Sequence, residues 1–150
     1  MQILAATDFS MRSNRALRQA GLLAQSVRAG LQIVHVVDDD WPDELIHTEK
    51  AAAERVLHEQ MHSMQELRGI EARPMVITGD PFDGILHAAA EVKADLIVMG
   101  THRKQLLLDI FVGTTIERVI RRGSFPVLMV NNEAQLKYEN VFYRPPIRKQ

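Results

Sequence analysis

The chain has 150 residues, 46% of them hydrophobic and 25% charged, and a formal net charge of -1. That length suits one globular domain able to bury a core without metal or disulfide support, and the near-neutral balance excludes the basic excess of a dedicated nucleic-acid binder. The absence of cysteine excludes a disulfide framework, a thiolate nucleophile and cysteine-ligated zinc.

The first residues, MQILAATDFS, lack the basic n-region of a signal peptide and run straight into polar residues. Residues 2–7 (QILAAT) read as a first strand. A helix follows, with Ala16, Leu17, Ala20, Leu23, Ala24 and Val27 at spacings of three and four, and Gly30 as its expected stop. LQIVHVV (31–37) is a second strand, and 47–68 is the longest helical segment, with Val56, Leu57, Met61, Met64 and Leu67 along one stripe. RPMVIT (73–78) is the third strand. The helix after it starts at GDPFDGIL, where Asp80 suits an N-cap and Pro81 the first turn. DLIVMG (95–100) is the fourth strand, ending at Gly100 where a sharp turn is needed, GTTIERVIRR opens a fourth helix with Thr114 and Glu117 spaced as a capping box, and PVLMV (126–130), last in order, is the fifth strand and is expected at a sheet edge. Residues 132–150 fall outside this repeat and read as a C-terminal tail, in which YENVFY is able to pair as an extra strand. No apolar stretch approaches the roughly 20 residues of a membrane span. A soluble, cytoplasmic chain with neither membrane nor nucleic-acid partners is expected.

Continuously apolar strands alternating with helices predict an α/β fold: an open five-stranded parallel sheet with helices on both faces. Such sheets bind ligands beyond the carboxyl ends of their strands, where strand order reverses. TDFS after the first strand and GTHRK after the fourth are neighbours there if those two strands are adjacent. Gly113, Thr114 and Thr115 open a helix, whose N–H groups and dipole favour phosphate. The same three residues also suit a plain helix cap, so local pattern leaves both readings open.

ATDFSMRSNRAL, GDPFDGIL and ADLIVMGTHRK…VGTTIERVIRRGSFPVLMV, in that order, resemble the universal stress protein family over residues 1–131. The resemblance implies an adenine nucleotide alpha hydrolase-like, Rossmann-like fold. Nucleotide-binding members carry Gly-x2-Gly-x9-Gly-Ser/Thr, matched here by Gly100, Arg103, Gly113 and Thr114, with arginine in place of the second glycine. It further implies Asp8 near ribose and base beside Ala6 and Thr7, Val36 against adenine, and Met99 and Gly100 lining the pocket. Gly113, Thr114 and Thr115 would surround the phosphates, with Arg103 beside them. By residue type alone, His102 and Lys104 read either as phosphate neighbours or as solvated loop residues. The implied ligand is ATP, with magnesium, or another adenine nucleotide, acting as a ligand or slowly hydrolysed substrate with regulation as the output. A homodimer through the fifth strand, Pro126 to Val130, is implied as well. The alternative is a nucleotide-free dimeric interaction module of the same fold, its phosphate loop closed by Arg103.

Two other patterns carry less. HEQMH (58–62) is a literal H-E-x-x-H, but Gln65 and Arg68 occupy the later positions of the extended zinc motif, and both histidines are expected at the surface. Asp38, Asp39 and Asp40 read as an acidic surface loop.

Overall fold

Strands and helices alternate along the chain in the computed structural model, which describes residues 1–101 and 115–130, and the backbone of 141–143. The elements are β1 (Gln2–Ala6), α1 (Met11–Val27), β2 (Gly30–Asp38), α2 (Asp43–Ser63), a 3-10 turn (Gln65–Leu67), β3 (Ala72–Gly79), α3 (Pro81–Glu91), β4 (Leu96–Gly100), α4 (Thr115–Arg122), β5 (Val127–Val130) and β6 (Val141–Tyr143). The sheet order is β3-β2-β1-β4-β5-β6, so strand order reverses between β1 and β4. β1 to β5 pair in parallel, and β6 joins β5 antiparallel.

Alternation along each strand divides the core into two layers. Ile3, Ala5, Leu31, Ile33, Leu96 and Val98 face α1 and α2, meeting Ala16, Leu17, Ala20 and Leu57. Leu4, Ala6, Val34, Ile97, Met99 and Val127 face the other way, onto Phe82, Ile85 and Ala88 of α3 and Ile116 and Val119 of α4. Burial on both faces is what makes these strands continuously apolar in sequence.

Local signals differ from expectation in three places. α1 ends at Val27, three residues before Gly30: Arg28 takes the left-handed conformation at its C-cap (φ 54°, ψ 44°), and Gly30 already belongs to β2. α2 ends at Ser63, and the 3-10 turn carries the stripe onward, so that Met64 and Leu67 are buried while Val56 is exposed. The third difference concerns β5, which is not the edge of the sheet, because β6 pairs along it within the same chain.

α3 starts as its residues predict. Asp80 accepts from the N–H groups of Phe82 and Asp83, both at 3.0 Å, and Pro81 occupies the first turn. Arg118 of α4 stands 3.8 Å from Asp80 and 4.5 Å above the Phe82 ring, linking the two helices on this face. The ion pair is half exposed and adds little, so the cap dominates. Replacing Asp80 with alanine is expected to lower stability by about 1 kcal/mol, read as a lower urea midpoint with an unchanged slope.

Candidate functional site

The site begins with the turn between β1 and α1. Phe9 has a positive φ of 65°, which costs a non-glycine residue about 1 kcal/mol. Two interactions hold it there. Its N–H donates to Thr7 Oγ1 at 3.0 Å, and its ring stacks on His35 at a centroid distance of 4.3 Å. His35 Nδ1 lies 2.8 Å from the carbonyl oxygen of Thr7, and since that oxygen only accepts, Nδ1 carries the proton.

From Thr7 the hydrogen bonds run in one direction. The Thr7 hydroxyl accepts from Phe9 and stands 3.1 Å from Ser13 Oγ, which in turn donates to Asp8 Oδ1 at 2.9 Å. The Ser10 N–H donates to the same Oδ1 at 2.9 Å, and Ser10 caps α1 through the Ser13 N–H. Partial burial pushes the Asp8 carboxyl up. The hydrogen bonds from Ser10 and Ser13 and the Arg12 guanidinium outweigh that effect, and hold Asp8 below the usual carboxylate range. Asp8 is therefore an ionised carboxylate at neutral pH.

Beside this turn lies a cavity of about 440 Å³ at the β1/β4 reversal. Ala6, Val34, Val36 and Met99 contribute apolar wall from the strands, and Pro81, Ile85 and Ile116 from α3 and α4. Asp8, Ser10, Arg12, Ser13, Thr101 and Thr115 supply the polar lining. The amino ends of α1, α3 and α4 all reach the cavity, and each brings the positive end of its dipole.

Two glycines set the spacing of this site. A Cβ on Gly100 would meet the Arg12 carbonyl oxygen at 2.5 Å and the Ser13 nitrogen at 3.0 Å, so β4 ends directly against the first turn of α1. A Cβ on Gly84 would lie 2.9 Å from both Val36 methyl groups, so α3 seats Val36 by direct contact. Gly100 was expected to serve a sharp turn; close backbone approach is its observed use.

Of the expected site residues, Ala6, Thr7, Asp8, Val36, Met99, Gly100 and Thr115 line the one cavity. His102, Arg103, Gly113 and Thr114 lie outside the described residues. Sequence reading missed Ser10, Arg12, Ser13, His35, Thr101 and the α3 residues Pro81 and Ile85. Ser10 and Ser13 carry a readable signal, since a hydroxyl at the cap and another three residues on flank the carboxylate of TDFS. For Pro81 and Ile85 no local signal exists: GDPFDGIL announces a helix start, and only packing brings it to the cavity. His58 and His62 are exposed on α2. The carboxylates of Asp38, Asp39 and Asp40 lie within 4.8 Å of one another at the surface, as an acidic loop.

The profile of the Universal stress protein family matches residues 1–131. The chain belongs to the universal stress protein family. Among its relatives, a universal stress protein of Thermus aquaticus is 32% identical over 136 residues, covering 85% of this chain and 96% of the relative. The solved structure of MJ0577, a universal stress protein of Methanocaldococcus jannaschii, superposes with a TM-score of 0.73 at 25% identity, over 88% of this chain and 96% of that one. A universal stress protein solved in complex with cAMP shares the fold at 24% identity, with a TM-score of 0.68 over 87% of this chain and 96% of that one. The α/β architecture of this universal stress protein is thus that of its family, and among its described residues no helix is long and apolar enough to cross a membrane.

Two predictions follow from the geometry. Gly100→Ala places a methyl group against backbone that cannot rotate away, so stability is expected to fall by about 1–3 kcal/mol in chemical denaturation. The second concerns acid. Asp8 has a folded pKa below its unfolded value of about 3.9, so its stabilisation is complete above the unfolded value and is lost as pH falls through the folded one. The difference in unfolding midpoint between wild type and Asp8→Asn should stay constant from about pH 5 to pH 7 and shrink below about pH 4. A difference that grows toward acid would contradict this assignment.

Proposed function

We propose that the cavity at the β1/β4 reversal is an adenine-nucleotide site, with ATP as its ligand, and that the protein acts in the cytoplasm as a regulator. The observation that carries this reading is the convergence of three helix amino ends on a cavity with an apolar wall and one ionised carboxylate. Each part matches one part of a nucleotide. Val36 and Met99 offer apolar surface for a flat base. Asp8 directs Oδ1 at α1, which presents Oδ2 to ribose hydroxyls or an exocyclic amine. The helix amino ends and the Arg12 guanidinium favour phosphate. The cAMP bound by a relative of the same fold supports the same class of ligand.

Magnesium enters this reading as the companion of ATP. Asp8 is the only carboxylate among the described lining residues, so the ion would take most of its ligands from phosphate and water. Arg103 favours a second reading, the interaction module without nucleotide, because it stands where the family's phosphate loop has glycine. A left-handed residue there costs about 1 kcal/mol, which weakens binding without abolishing it. The homodimer belongs to the proposal too, as a state open to the chain rather than its resting one. The edge of β5 that would pair across a two-fold axis carries β6, so two β5 strands can meet only when β6 leaves.

Calorimetric titration of ATP, AMP and cAMP tests the reading. Saturable binding is expected in wild type, tighter binding in Arg103→Gly and none in Gly113→Val, where a branched side chain blocks backbone approach to phosphate. Absence of binding in both wild type and Arg103→Gly would establish the nucleotide-free module instead.

A further inference from the structure

We propose that β6 is a removable cap, by which the carboxyl-terminal segment of the chain controls pairing of β5 with a second copy of the same chain. The proposal rests on the homodimer part of the functional reading, and is independent of nucleotide.

β5 is four residues long, and all four, Val127, Leu128, Met129 and Val130, are buried. One of its edges is bonded to β4. Its other edge, if open, would present a row of N–H and C=O groups on an apolar strand, which templates pairing with another chain. An antiparallel copy of the same strand is self-complementary about a two-fold axis, so a second protomer is the partner that this edge fits.

β6 takes that edge in the register Val127 with Tyr143, Leu128 with Phe142, and Met129 with Val141. Its direction is antiparallel, the same that a second β5 would adopt. The two therefore compete for one set of hydrogen-bonding groups. β6 spans three residues, fewer than the four pairs that join β5 to β4. It is connected through residues 131–140, a much longer link than the 2–5 residues typical of hairpins. A short strand closed through a long link is weakly held.

Tethering nevertheless favours it over a free competitor. A linked strand meets its site at an effective concentration of order millimolar, about a thousandfold above a second copy at micromolar concentration. The chain is therefore monomeric when β6 is seated and self-pairing when it is not. Pro145 and Pro146 follow β6 in sequence after Arg144, and lack the N–H groups with which a strand would continue.

The test compares the full chain with a chain ending at Asn140, and with the full-length double variant Val141→Pro/Phe142→Pro, by sedimentation from about 1 to 100 μM, the range below the effective concentration of the tether. Consecutive prolines remove ladder donors on both sides of β6 while keeping the length and charge of the tail. The full chain is expected to sediment as a monomer, and both variants as dimers over the same range. Millimolar peptide of sequence KYENVFYR (137–144) should return the truncated chain to monomer. Equal dimerisation of all three chains would overturn the cap while leaving a dimer. Monomers throughout, with circular dichroism showing the variants folded, would overturn β5 pairing itself. A dimer formed by the full chain alone would make β6 part of the interface, and overturn the cap as well.

Discussion

The direct contact of β4 with the first turn of α1 is the constraint on which the candidate site depends. Residue 100 must lack a side chain because the Arg12 carbonyl oxygen lies only 2.5 Å from where its Cβ would stand. That contact puts the amino end of α1 at the strand-order reversal, within reach of the carboxyl ends of β1 and β4 together. With a wider gap, Asp8, Ser10 and Ser13 would still form a capped turn, but that turn would not border a cavity shared with Met99 and Thr101. One missing methyl group thus connects the backbone of the sheet to the polar side of the site.

The polar side is built to present charge while remaining ordered. Phe9 adopts an unfavourable backbone conformation, offset by the hydrogen bond to Thr7 and the stack on His35. From there the hydroxyls of Thr7 and Ser13 are committed to one another and to Asp8. A carboxylate with its donors already arranged needs no reorganisation when a ligand arrives, and directed hydrogen bonds are stronger where water is partly excluded. Apolar residues from β2, β4, α3 and α4 close the opposite side. The division into a charged rim and an apolar wall makes an amphipathic, anionic ligand a better fit than a purely apolar one.

At the far end of the sheet the same physics of exposed edges gives a different outcome. β5 is as apolar as the interior strands because both its faces are covered, by α1 on one side and by α3 and α4 on the other. Face burial, however, leaves the edge unsettled. β6 satisfies it from within the chain, at the cost of a long connection. The opposite edge strand, β3, carries Arg73 and Pro74 and exposes part of its length, features that discourage pairing.

Much of this was legible in the residues themselves. Five strands and four helices follow from continuous apolar runs and helical spacing, because two-sided burial leaves no room for alternation. The α3 start at Asp80-Pro81 follows from capping chemistry, which acts within four residues. Family resemblance named seven residues that line the cavity, from segments as far apart as Ala6 and Thr115. What the residues alone did not determine depends on distance through space. Gly100 reads as a turn until the Arg12 carbonyl is seen beside it, and Gly30 reads as a helix stop although Arg28 takes that part. Pro81 and Ile85 reach the cavity only because α3 crosses the sheet face next to α4. β5 resembled an edge because it is the last strand of the repeat; chain order does not state which strand pairs beyond it, and the hydrogen bonds of a sheet edge are satisfied by whatever tertiary structure brings there, here residues 141–143.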